Sequence, residues 1–305
     1  MKILVVGAGA IGGYFGGRLA EKGEDVTFLV RENRKKQLIK TGLKIKSTYG
    51  DVELSPRLLT AGESEEKFDV VMVSTKSYQL TAAIDDIRLH LKEDGIILPL
   101  LNGISHMDEL IEAFGDEVVI GGLCFIESTL DENGVIVQTS PIHQLVFGER
   151  TGKRTPRIER LKSIFEDTKA EFSLSEDINQ DMWHKYLFIT AMSGLTSLME
   201  SPIGPIRNLE SGQRVILEFL NEISLIMKKI NAPIKEDIAN IQFKRINEMN
   251  EAMKSSMQRD MEKSMPLEAE HLQGYLLGKA REHNLSVPIL ETIYTKLALY
   301  EKMRK

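Results

Sequence analysis

The sequence predicts an α/β chain with an all-helical second half, and three observations carry that prediction. Ile3-Leu4-Val5-Val6, just after Lys2, is a short apolar run followed without a break by glycines at a fixed spacing. Apolar runs of strand length then alternate with helical stretches as far as residue 176, the pattern of a parallel sheet with crossover helices. From residue 178 onward only the helical period remains.

Residues 3–6 are rich in β-branched side chains, as a parallel strand buried on both faces requires. Gly7-Ala8-Gly9-Ala10-Ile11-Gly12 comes next. Gly7 permits a sharp turn, Gly9 lets the backbone approach a pyrophosphate, and Gly12, helped by Gly16, lets the next helix lie close on the strand. The unpaired N–H groups and positive dipole end of that helix attract an anion without a basic side chain. An isolated glycine loop of this spacing is as often merely flexible. Here it follows a strand, opens a helix over 14–22, and leads through Gly23 to a second apolar strand over 26–30, the context the fingerprint demands. The fold class is therefore an N-terminal Rossmann-type dinucleotide-binding domain, residues 1–176, with a C-terminal all-helical domain, residues 177–305. A cleft between the two is expected to hold the ligands.

The end of the second strand selects the cofactor. An arginine there receives the 2′-phosphate of NADP, whereas an acidic residue binds the free ribose hydroxyls of NAD. Arg31 directly follows Val30, and Glu32 stands one position further on, about twenty residues past Gly12. Arg31 is the preferred reading, with Arg34 and Lys35 adding to the positive field; Glu32 is its rival, and a plain solvated charge run the simplest alternative. Residues 43–60 read as a small antiparallel excursion with turns at Gly42 and Tyr49-Gly50-Asp51. Strands are expected over 68–74 and 95–100, with a helix over 78–91 between them. Thr75-Lys76 and Asn102-Gly103 follow these strands, at the carboxyl ends where open α/β sheets bind ligands. Asn-Gly is first of all a turn signal, because both residues tolerate positive φ. Segments 117–128, 134–139 and 143–148 read as strands that complete the sheet, separated by turns at Glu132-Asn133-Gly134 and Ser140-Pro141. A helix over 156–167 and a strand over 171–174 close the domain.

In the second half, helices are expected over 178–200, 207–231, 235–260, 267–283 and 288–303. The first of them is strongly apolar yet carries Lys185, which shares a stripe with Ile189 and Ser193 at i, i+4 and i+8. A lysine there either snorkels to solvent or has a task that justifies its burial. Ser255-Ser256-Met257-Gln258-Arg259-Asp260 precedes Pro266 and Glu268, where the proline suits a first helical turn and the glutamate its dipole. Composition narrows the partners. A net charge of −6 offers no basic excess for nucleic acid or an anionic membrane. A single cysteine, Cys124, excludes an internal disulfide and suits a reducing cytoplasm. The N-terminal apolar run is too short for a signal peptide, no stretch is long enough to span a bilayer, and the six histidines show no metal-ligand spacing.

Taken in order, GAGAIG, Thr75-Lys76, Asn102-Gly103, Trp183-x-Lys185, Pro202-Ile203-Gly204, Ser255-Ser256-Met257-x-x-Asp260 and Glu268 resemble the ketopantoate reductases (2-dehydropantoate 2-reductases) over essentially the whole chain. The resemblance implies NADPH-dependent reduction of ketopantoate to pantoate, a step of pantothenate and hence coenzyme A synthesis. It makes Lys185 the proton donor. It gives Asn102 and Ser256 to the substrate, with Ser193 beside Lys185 on its stripe. It places Glu268 near the ribose and the reacting oxygen, and lets Lys76 and Asn102 contact the cofactor. Family members often carry asparagine at the positions of Ile189, Ser193 and Ile203, so the resemblance also implies a pocket suited to a less polar 2-oxo acid. The rivals are a related NADP-linked hydroxyacid dehydrogenase and an NADPH-binding protein without turnover; a homodimer is compatible with the apolar helical half.

Overall fold

The computed structural model describes residues 1–304, which fall into two compact units: residues 1–101 with 106–178, and residues 102–105 with 179–304. The first unit opens with β1 (Lys2–Val6), α1 (Gly12–Lys22), β2 (Asp25–Leu29), α2 (Glu32–Thr41), β3 (Leu43–Ser47), β4 (Val52–Leu54), β5 (Arg57–Leu59) and β6 (Phe68–Val73). A 3₁₀ turn (Ser77–Gln79), α3 (Leu80–His90), β7 (Leu91–Pro99), α4 (His106–Phe114), β8 (Gly121–Leu130), β9 (Ile136–Gly148), α5 (Pro156–Phe165) and β10 (Glu171–Leu174) complete it.

One sheet runs β5-β2-β1-β6-β7, every pair parallel, with Val5 beside Phe28 on one side and Met72 on the other. Burial on both faces explains why β1, β2 and β6 read as nearly continuous apolar runs. The expectation that the later strands complete this sheet holds only just before β8, where Val119 bridges Ile97 in parallel, and is otherwise corrected: β8, β9 and β10 build a second sheet, ordered β10-β9-β3-β4, with β8 paired antiparallel to β9. The 43–60 excursion is divided likewise, since β3 and β4 pair antiparallel in the second sheet whereas β5 lies parallel to β2 in the first.

Helix α1 lies close against both sheets because glycines stand at its nearest approaches, while Tyr14, Phe15 and Leu19 fill the core around it. A Cβ at Gly16 would meet Val5 and Phe28 of the first sheet at 2.8 and 2.9 Å. On its other face, a Cβ at Gly17 would stand 2.7 Å from Ile45 and one at Gly13 2.5 Å from Ile136, both in the second sheet. The pairs Gly12/Gly16 and Gly13/Gly17 thus form two smooth stripes at the i, i+4 spacing of a helix face.

The expected turn at Ser140-Pro141 is also corrected, for it lies inside β9. The ladder with β8 is interrupted there, passing from Gln138 opposite Ser128 to His143 opposite Ile126. Pro141 falls in the interruption, so its missing N–H removes no ladder bond. Helix α4 went unread, masked by the turn signal just before it.

The second unit holds α6 (Ile178–Leu198), α7 (Ile203–Arg207), α8 (Glu210–Lys229), α9 (Ile238–Glu248), α10 (Ser256–Glu262), a π-helical turn (Glu270–Gly274), α11 (Tyr275–Glu282) and α12 (Pro288–Met303). Helix α6 is apolar all round because it is buried all round, Tyr186, Leu187, Ala191 and Leu195 having no exposed surface. The single helix expected over 235–260 is broken between α9 and α10. Residues of the break serve α7, whose first N–H groups at Ile203 and Gly204 donate to Met253 and Glu251 carbonyls, each at 3.0 Å. Ser255 then restarts the helix, its Oγ accepting the Gln258 N–H at 3.0 Å. Pro266 does not open a first helical turn either. The helical run begins at Ala269, so Glu268 precedes it and its carbonyl accepts the Leu272 N–H at 3.0 Å. Among the described residues no helix is long and apolar enough to cross a membrane.

Candidate functional site

The first unit carries a groove of about 490 Å³ at the carboxyl ends of β1, β2 and β6, lined by Gly7, Ala8, Gly9, Arg31, Thr75 and Asp86 among others. Its floor is the glycine turn. Gly7 has φ +96, a left-handed conformation open to glycine, and its N–H donates to the Leu29 carbonyl at 3.0 Å. Gly12 is needed for space, because a Cβ there would stand 2.0 Å from Ser74 Oγ and 2.3 Å from the Gly7 carbonyl. Gly9 is different. No heavy atom lies within 4 Å of where its Cβ would be, so the packing of the chain itself does not require a glycine there. Beside it stands the start of α1, which has no side-chain cap and presents the positive end of the helix dipole. These residues fit a dinucleotide pyrophosphate.

Both candidates for cofactor choice face this groove. Arg31 is the N-cap residue of α2, and Glu32 is its first helical residue. Arg34 also lines the groove, but its guanidinium is occupied, donating through Nε to the Ala8 carbonyl and through Nη2 to the Gly134 carbonyl, each at 3.2 Å. It braces the glycine turn. Lys35 is spent as well, donating to Glu63, whose carboxyl this contact and the Thr60 hydrogen bonds hold down at about 2. Across the groove, burial raises the Asp86 carboxyl above its ordinary value, with the neighbouring Asp85 charge adding to the rise and Arg31 offsetting part of it. Arg31 is thus an exposed cation at the α2 start that lines the groove. Thr75 lines the groove, while Lys76, half-buried, opens the 3₁₀ turn as its N-cap residue.

The second unit carries a separate constellation around Lys185. This residue is only 6 % exposed, so the snorkelling alternative is excluded. Its Nζ donates to Asn102 Oδ1 at 3.0 Å. Asn102 and Gly103 form the turn that their residue types forecast, with Gly103 at φ +86. The Asn102 carbonyl accepts from His271 Nε2 at 2.7 Å, and His271 Nδ1 lies 2.8 Å from Ser105 Oγ. Next to Lys185, the Tyr186 hydroxyl donates to the Leu272 carbonyl at 2.5 Å, and complete burial pushes its phenol pKa far above the usual range. An ammonium held out of water by an amide oxygen is suited to meeting a developing oxyanion and giving it a proton.

The other forecast residues are placed unevenly. Ser193 lies buried two turns along α6, but its Oγ accepts from Gln273 Nε2 at 2.8 Å, so its hydroxyl is engaged within the protein. Ile203 has no exposed surface, and Ile189 is half-buried. Ser256 stands exposed in the first turn of α10, where its neighbour Ser255 does the capping and lies 2.8 Å from Thr196 Oγ1. Glu268 is half-buried ahead of the π-helical turn. Sequence reasoning missed His271, Ser105 and Gln273. Their partners lie 80 or more positions away, and the π turn removes His271 and Gln273 from any helical stripe that periodicity would have marked.

The family model described as "Ketopantoate reductase PanE/ApbA" matches residues 3–152, and its C-terminal companion matches residues 177–301. The chain is 46% identical to an uncharacterized oxidoreductase, YkpB, of Bacillus subtilis, over 99% of both chains. It is 27% identical to a 2-dehydropantoate 2-reductase of a Nostoc species, over 97% of this chain and 94% of that one. The crystal structure of 2-dehydropantoate 2-reductase from Geobacter metallireducens superposes with a TM-score of 0.88 at 27% identity, covering 98% and 99% of the two chains.

Proposed function

The chain belongs to the ketopantoate reductase family, an oxidoreductase family, and from that premise we propose that it is a 2-dehydropantoate 2-reductase that reduces ketopantoate to pantoate with NADPH, in the cytoplasm and on the way to coenzyme A. The observation that supports this reading best is the buried Lys185 ammonium gripped by the Asn102 amide. When bound, the dinucleotide supplies the hydride for the 2-oxo carbon. The chain supplies the rest. Gly7 to Gly12 and the start of α1 receive the pyrophosphate, with Gly9 giving the close backbone approach, and Arg31 takes the 2′-phosphate. Lys76 and Asn102 add cofactor contacts.

As negative charge gathers on the carbonyl oxygen, the Lys185 ammonium stabilises it and then gives up a proton, leaving the alcohol and a neutral amine. Ser256 and Asn102 orient the substrate, Ser193 completes the Lys185 stripe, and Glu268 contacts the ribose and the product hydroxyl. A second reading keeps the chemistry and changes the acid. Ile189 stands one turn from Lys185 on its stripe, and the Ser193 hydroxyl is already bonded to Gln273, so a 2-oxo acid with a less polar side chain suits this surface. Initial rates with ketopantoate and a panel of branched 2-oxo acids, each with NADPH and NADH, separate the readings. Ketopantoate with NADPH should have the highest kcat/KM; a higher value for an acid without the hydroxyl selects the second reading, and no turnover of any 2-oxo acid refutes both.

A further inference from the structure

We propose that His271 is a positioning residue for the reduction: its imidazole fixes the Asn102-Gly103 turn so that the Asn102 amide oxygen is held on the Lys185 ammonium. The inference rests on the reading of Lys185 as proton donor. One ring spans the turn, bonding the residue before Gly103 through Nε2 at 2.7 Å and the residue two places after Gly103 through Nδ1 at 2.8 Å. A carbonyl only accepts, so Nε2 carries a proton and, in the neutral ring, Nδ1 accepts the Ser105 hydroxyl proton. Both ring nitrogens are thereby committed to the turn. The ring also presses on it, since a Cβ at Gly103 would meet His271 Cδ2 at 2.7 Å and Nε2 at 2.8 Å.

The element that carries His271 is itself uncommon. Residues 270–274 form a π-helical turn, a wide turn that shifts side chains off the regular helical register and recurs at functional sites. It is pinned to α6 on the C-terminal side of His271. The Tyr186 hydroxyl donates to the Leu272 carbonyl at 2.5 Å, and Gln273 Nε2 donates to Ser193 Oγ at 2.8 Å and the Thr190 carbonyl at 3.2 Å. The bonds close into a circuit from Lys185 to Asn102, to His271, along the π turn to Leu272, and back to Tyr186, the neighbour of Lys185. Neither the ammonium nor the turn that holds it moves without breaking a bond of that circuit. Alignment is where such a device acts, because a misplacement of about 1 Å at a reacting group can cost on the order of 100-fold in rate.

The test is a double-mutant cycle on kcat. His271→Phe keeps a ring of similar bulk and removes both bonds, and should lower kcat about 10- to 100-fold while NADPH affinity and Tm stay near wild type. Asn102→Ala should lower kcat as well, and the double variant should be no slower than Asn102→Ala alone, because His271 acts through Asn102. Independent, multiplying losses overturn the proposal, as does a wild-type kcat for His271→Phe. If His271→Phe does not fold, Ser105→Ala, which removes only the Nδ1 partner, should give a smaller loss with the same dependence on Asn102. A Lys185→Met enzyme with normal turnover would instead sink the proton-donor reading.

A readout independent of turnover is loss of the Asn102 amide. In an Asn-Gly pair the Gly103 nitrogen attacks Asn102 Cγ and expels ammonia, and water then opens the succinimide, a sequence that a rigidly held turn resists. Mass spectrometry of this peptide after mildly alkaline incubation should show faster conversion in His271→Phe than in wild type; equal rates refute the positioning role.

Discussion

Replacing Lys185 by methionine tests the chemistry with little disturbance of the fold. Methionine keeps an unbranched stem of similar bulk in a site only 6 % exposed, and deletes the charge and the proton. General acid catalysis contributes about 10²- to 10⁴-fold, so the barrier should rise by about 2.7–5.4 kcal/mol at 1.36 kcal/mol per decade. Stability should respond less. Asn102 Oδ1 loses the donor now 3.0 Å away, and since Asn102 is only half-buried this costs at most about 1–3 kcal/mol, the range for a buried acceptor left unpaired. Relief of the desolvated ammonium works in the opposite direction and is of at least similar size. The two leave Tm within a few degrees of wild type in a chain of this length. The assay is the single-turnover rate of NADPH oxidation with saturating 2-oxo acid, which isolates chemistry from product release, alongside a thermal melt and a cofactor titration. Lys185→Ala should lose the same rate and more stability, since it also opens a cavity. A Lys185→Met enzyme that turns over within a few-fold of wild type refutes the reasoning, as does one that has lost its fold.

Arg31→Ala should abolish most of the preference for NADPH over NADH, about 10- to 150-fold for a charge-assisted contact of about 1.5–3 kcal/mol; equal wild-type Kd values for the two cofactors would make Glu32 the residue that chooses. Gly9→Ala and Gly12→Ala should fail in different ways. The first has open space around the added methyl and should keep its Tm while NADPH affinity falls at least 10-fold. The second drives a methyl into Ser74 Oγ and the Gly7 carbonyl and should lower Tm as well; unchanged NADPH binding in Gly9→Ala would show that no phosphate packs there. Glu149→Gln tests a structural pair. Burial raises the Glu149 carboxyl, but Nε and Nη2 of Arg157, each at 2.7 Å, and the Thr155 hydroxyl outweigh it, so the folded pKa lies below the ordinary 4.5. That stability is present above the unfolded pKa and lost as pH falls through the folded one. The variant should be about 1–3 kcal/mol less stable near neutral pH, with the gap to wild type closing in acid; a gap that stays constant with pH assigns the loss to packing.

Much of this was legible because its causes are local. The strand, turn and helix of residues 2–22, the apolar runs of β2 and β6, the Asn102-Gly103 turn and the helical character of the second half all follow from residue type and period within a short window. Lys185 stood out for the same reason, as a cation in an apolar helix. Where the local signal was outweighed, the cause lay elsewhere in the chain. Pro141 marks a turn in isolation, yet β9 continues through it because its missing N–H meets an interruption of the β8 ladder. The helix expected over 235–260 is broken because α7 takes carbonyls from the break to cap its own first turn.

By itself the sequence determined the alternation of strands and helices in the first half, the helical second half, the glycine turn at the end of β1, and the singling out of Lys185 and Asn102 as candidates. Only the tertiary structure decided that β8 to β10 leave the first sheet for a second one, with four glycines of α1 smoothing two faces between them. It alone decided that Arg34 and Lys35 are spent on the protein while Arg31 is left facing the groove, and that His271, 169 positions from Asn102, locks the turn that holds Lys185. The physical reason is range. Periodicity and turn chemistry act over a few residues, whereas sheet membership, burial of a charge and hydrogen-bond partnership are properties of pairs of segments, and nothing in one segment encodes which distant segment satisfies it.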